Sequence, residues 1–196
     1  MKKSLIVLIS ILALLVIIIG YGISINNKMV NADEAVMSQW AKVENQYQRR
    51  ADLIPNLVNT VKGYASHEKE TLDAVVNARA KATQVTISPD NLNEASLQKY
   101  QAAQGELSQA LGRLLMVTEN YPDLKANQNF LELQAQLEGT ENRISTERTR
   151  YTDMVRDYNA MIRRFPASII AGIGGFDKKP QFTAEVGAEK APEVKF

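Results

Sequence analysis

The stretch QYQRRADLIPNLVNTVKGYASHEKETLDAVVNARA, Gln46 to Ala80, decides how this chain is read. It holds the paired Arg49 and Arg50, the first proline of the chain, Pro55, and the only histidine, His67. Upstream, Val36, Trp40, Val43 and Tyr47 fall at the three-four spacing of one buried helix face, and Arg50 is next on that face. The apolar phase continues through Ile54, Leu57 and Val61. Spacing by itself therefore allows either one helix kinked at Pro55 or two helices. Asp52 offers an N-cap for a new helix, and Pro55 sits at the third position after it, where a missing N–H costs little.

RRADLIPNLVNTVKGYASHE, followed by LDAVVNARA, resembles the hallmark segment of the LemA family. The resemblance extends over nearly the whole chain. It takes in an apolar N-terminal segment, Trp40 and Tyr47, Tyr158-Asn159, Arg164-Phe165-Pro166, Gly175-Phe176 and Ala191-Pro192-Glu193-Val194. It implies a small membrane-anchored helical protein with a four-helix bundle, and it supplies no reaction. On that implication the first helix breaks at Asp52, and a second runs from Pro55 to about Gln84. Leu57, Val58, Val61, Tyr64, Ala65, Leu72, Val75 and Val76 make the second helix's buried side, and a close helix approach would account for Gly63.

Working outward, Val85 to Asn93 is a connection with a turn signal at Ser88-Pro89-Asp90. A third helix spans about Leu92 to Asn120, with Tyr100, Leu107, Leu114 and Tyr121 seven apart and Leu111 between them. A fourth carries Phe130, Leu137, Ile144, Tyr151, Tyr158 and Phe165 at strict seven-residue intervals, the pattern of near-parallel helix packing. The fold class is all-α: an N-terminal transmembrane helix, an antiparallel up-and-down four-helix bundle and a flexible C-terminal tail. The divisions are a short flank at 1–4, the span at 5–25, the bundle at 26–166, and an apolar turn with its tail at 167–196.

Leu5 to Ile25 is 21 residues without a charge, against about 20 needed to cross a bilayer as helix. A cleaved signal peptide has a shorter apolar core and a small-x-small cleavage site, and neither is present, so an uncleaved single-pass anchor in the cell membrane is expected. Lys2 and Lys3 on one side against Lys28 on the other tilt the positive-inside rule toward a bundle outside the cytoplasm. Members of the family have also been assigned the opposite arrangement. Lys+Arg of 23 against Asp+Glu of 22 leaves a net charge of +1, which gives no basic face for nucleic acid. Cysteine is absent, which removes disulfides, thiolate metal sites and a cysteine nucleophile.

No catalytic set is legible. His67-Glu68 lacks the second histidine of a zinc-protease helix, because Thr71 stands in its place. The glycines at 172, 174 and 175 lack the lysine and hydroxyl of a phosphate loop and read as a connector. Two clusters stand out instead. Arg49, Arg50, Glu141 and Glu147 form a candidate polar layer, since an arginine on an apolar face requires a carboxylate. That layer either fixes helix register or binds a ligand. Arg163, Arg164, Phe165, Ile169, Ile170, Ile173 and Phe176 form a candidate membrane interface; folding back to close the core is the other reading of the same residues. The expected function is a non-enzymatic interaction or scaffold protein, held to the lipid bilayer by its N-terminal helix and meeting an unidentified protein partner. No cofactor, metal or small-molecule substrate is indicated. A membrane-shaping or lipid-interface protein is the alternative, and an enzyme subunit a more distant one.

Overall fold

The structure, a computed structural model, describes residues 2–88 and 91–183, and these are all-helical with no strand. The elements in order are α1 (Lys2–Tyr64), α2 (Lys69–Gln84), α3 (Glu94–Thr118), the single turn α4 (Pro122–Lys125), α5 (Gln128–Arg163) and α6 (Ala167–Gly174). Pro89 and Asp90 of the expected turn, and residues 184–196 of the expected tail, lie outside the described residues.

The break expected at Asp52 does not occur. One helix of 63 residues runs through Pro55 to Tyr64, about 95 Å at 1.5 Å per residue. An interior proline normally costs a helix about 3 kcal/mol, partly because the carbonyl four residues back loses its donor. That carbonyl is Ala51's, and Arg79 Nε on α2 donates to it at 2.7 Å. The next helix thus supplies the bond that Pro55 cannot make. Asp52 does not cap; it accepts from Gln48 Nε2 at 2.8 Å, within the same helix. Ile54, Leu57 and Val61 are fully buried, which holds the phase across the proline.

The chain reverses instead at Ala65–Glu68, with His67 exposed in that turn. Gly63 faces open space, so no close helix approach explains it. Of the residues expected on the buried side here, Leu57, Val61, Ala65, Leu72 and Val75 are buried and Val58 is half-buried, while Tyr64 and Val76 are exposed.

α3 starts where Asn93 and Ser96 cap each other reciprocally, each side chain meeting the other's backbone N–H at 3.0 Å. α5 starts at Asn127, whose Oδ1 accepts from the Phe130 N–H at 3.0 Å. The stripe on α5 is buried at Phe130, Leu137, Ile144, Tyr151 and Tyr158, but it stops before Phe165, which is 82% exposed. The backbone turns extended at Arg164, so Phe165 leaves the helical phase.

α1 packs antiparallel along α5: Gln39 meets Glu147, Arg50 meets Glu141, and Tyr64 meets Asn127. α2 lies antiparallel to α1 and to α3, through Arg79 to Ala51 and Lys81 to Glu106. The apolar interior forms two clusters. One, near the N-terminal anchor, centres on Trp40, Tyr47, Tyr100, Tyr151 and Tyr158. The other, toward the distal turns, centres on Ile54, Leu57, Leu107, Leu114 and Phe130.

Candidate functional site

Arg50 stands between the two clusters with 1% of its side chain exposed. Its Nη1 donates to Ser108 Oγ and Glu141 Oε1, each at 2.7 Å. Its Nη2 donates to Gln104 Oε1 at 2.7 Å and to the Gln104 carbonyl at 3.2 Å. The guanidinium also lies 5.1 Å from the centre of the Tyr47 ring. One turn of α1 and one of α5 thus place the charge, and α3 supplies the neutral acceptors. The sequence pointed to Arg50 and Glu141 and missed Gln104 and Ser108. Polar residues among the many on α3 carry no signal of their own without a known partner.

Arg49 and Glu147 do not join this layer. Arg49 is exposed. Glu147 lies nearly two turns further along α5, where its Oε2 accepts from buried Gln39 at 2.6 Å and its Oε1 from Arg150 at 2.8 Å. Glu141 remains 45% exposed, because α3 and α5 stand apart beside it. A groove of about 500 Å³ opens there, over Arg50, Gln104, Glu141 and Arg148, with Thr183 at its edge.

The segment after α5 is divided between the two uses expected for it. Ala171 is buried, and Ile170 and Phe176 pack against the anchor-side cluster. Ile170 lies beside Gly22, and the Phe176 ring covers Gly174 closely enough to leave no room for a Cβ there. The opposite face carries Phe165, Ile169 and Ile173 at 82%, 55% and 84% exposure. Arg163 and Arg164 are exposed beside it. This apolar face therefore sits level with the end of the uncharged stretch of α1.

The chain beyond α6 was expected to be loose, yet residues 177–183 lie along the body. Gly175, in the left-handed region at φ 71°, turns the chain out of α6. Asn159 then accepts from the Lys179 N–H at 3.0 Å and donates Nδ2 to the Lys179 carbonyl at 2.9 Å. Tyr151 Oη donates to the Pro180 carbonyl at 3.0 Å. Phe182 stacks on Trp40 at 5.9 Å and meets Tyr151 edge-on at 5.4 Å, with Arg148 4.6 Å above its ring. Lys179 pairs with Asp33 at 2.8 Å. Burial pushes the Tyr100 and Tyr151 hydroxyls well above the usual tyrosine range. Tyr158, desolvated and close to Asp33 and Asp177, is pushed up to about 12. These groups are therefore neutral hydrogen-bonding phenols at any physiological pH.

A family model for the LemA family matches residues 39–196. Magnetosome protein MamQ 2 of Paramagnetospirillum magneticum is 24% identical over 185 residues, covering 86% of this chain and 68% of that protein. Magnetosome protein MamQ of Magnetospirillum gryphiswaldense is 23% identical over 185 residues, with the same shares covered. Protein LemA of Metamycoplasma hominis is 21% identical over 145 residues, covering 74% of this chain and 63% of that protein. The matched region takes in the Arg50 layer, α6 and the segment docked on Trp40, and with it this chain belongs to the LemA family.

Proposed function

We propose that this protein is a membrane-anchored interaction scaffold that acts by binding rather than by catalysis. The reading has α1, α2, α3 and α5 as an antiparallel up-and-down four-helix bundle on a single-pass anchor, outside the cytoplasm. One observation carries it. The exposed apolar stretch, with mean hydropathy 3.0, and the central helix of the body are one uninterrupted helix. No linker separates them, so the body is held at a fixed height and presents its distal turns at a set distance from the bilayer. That geometry suits a docking platform for a protein partner.

Photo-crosslinking in intact cells, from exposed positions along α3 and at the distal turns, tests this. A discrete adduct with another protein is expected from a contiguous patch of positions. Adducts with lipid alone from every position would overturn the scaffold reading.

The exposed face of Phe165, Ile169 and Ile173 favours a second role at the lipid interface. With Arg163 and Arg164 beside it, this face has the composition of an interfacial helix, apolar below and cationic at headgroup level. A fluorescent probe at Ile173, in protein reconstituted into liposomes, is expected to be quenched by lipid-borne quenchers. A probe quenched only from the aqueous phase would remove α6 from the bilayer.

A further inference from the structure

The segment docked on Trp40 is bound as a peptide ligand is bound. Its recognition is complete without the covalent link. Asn159 takes both backbone groups of Lys179, as one amide reads an extended peptide. Tyr151 takes the next carbonyl, and Gln101 Nε2 takes the Thr183 carbonyl at 3.2 Å. Phe182 supplies the aromatic anchor, set between Trp40 and Tyr151. By contrast, the stretch joining it to α6 is weakly held: Gly175, Asp177 and Lys178 are exposed.

Every copy of this chain carries the same segment and the same groove. Unbroken α1 sets both at one height above the bilayer. A segment exchanged between neighbouring copies makes the same contacts in trans as in cis, so exchange forfeits no contact and costs only association. Anchors that confine copies to one plane reduce that cost by raising effective concentration.

We propose that the groove formed by Trp40, Tyr151 and Asn159 is a peptide-binding site whose partner is residues 177–183 of a second copy, so that neighbouring anchored copies pair by exchanging these segments.

The full chain has no cysteine, so single thiols are clean reporters. Gln101→Cys is placed on one tagged chain and Thr183→Cys on a differently tagged chain, and the two are co-reconstituted in liposomes with a short bis-maleimide. A mixed-tag dimer is expected. It should fall by about tenfold when the Thr183→Cys chain also carries Phe182→Ala, because a central aromatic anchor dominates such a contact. Asn159→Ala on the Gln101→Cys chain should lower it as well, which gives a second reading should Phe182→Ala lose helix by circular dichroism. A chain with both thiols reports closure in cis. Closure in cis with no mixed dimer overturns the exchange. So does a mixed dimer indifferent to both substitutions, which is mere collision, and so does failure of both bridges, which removes the docked segment itself.

Discussion

Glu141→Ala is expected to lower the unfolding free energy by about 3 kcal/mol, since it leaves a buried guanidinium without its counter-charge. Arg50 is 1% exposed, and its remaining acceptors on Gln104 and Ser108 are neutral. The half-exposed position of Glu141 lets water approach, which keeps the effect at the lower end of the range for buried pairs. Arg50→Ala is expected to cost about as much by another route: it opens a void between the two clusters and strands the Gln104 side chain. Replacing both partners at once, Arg50→Met with Glu141→Leu, should recover most of the loss, because a buried ion pair seldom outperforms apolar residues of similar volume. Denaturant titrations of the three variants measure this. Arg50→Ala and Glu141→Ala at wild-type stability would mean that the layer does not hold the fold, and would return it to the ligand-binding reading.

Arg79→Ala should cost about 1.5–3 kcal/mol, the range for a hydrogen bond from a charged donor. The bond in question goes to the Ala51 carbonyl, which Pro55 cannot serve. The diagnostic is a double-mutant cycle. Pro55→Ala restores a local N–H to that carbonyl, so Arg79→Ala in the Pro55→Ala background should cost about 1 kcal/mol or less. Equal costs in the two backgrounds would show that Arg79 acts elsewhere, and that α1 tolerates its proline for another reason.

The seven-residue stripe of α5 was readable from sequence because five successive repeats point at one neighbour, and each of those five residues is buried. Arg50 was readable for a related reason: a charge in phase with Trp40, Val43 and Tyr47 has to be buried and paired. The continuity of α1 was not readable. It depends on a donor 24 positions beyond Pro55, on another helix, and no local pattern announces that Arg79 will arrive there. Glu147 was misplaced because acidic residues on α5 are many, and its partner, Gln39, is neutral. Phe182 was missed because it stands alone among Lys, Pro and Gln, where no periodicity marks it. Only the three-dimensional placement of Trp40 and Tyr151 gives it a seat.

The uninterrupted α1 also has a mechanical consequence. A jointed anchor would let the body hang at any angle, whereas a continuous helix makes the body a lever with its fulcrum in the bilayer. From Asn26 to Tyr64 the lever arm is roughly 60 Å. A change of about 10° in the tilt of the apolar stretch, of the kind that bilayer thickness imposes, swings the far end by about 10 Å.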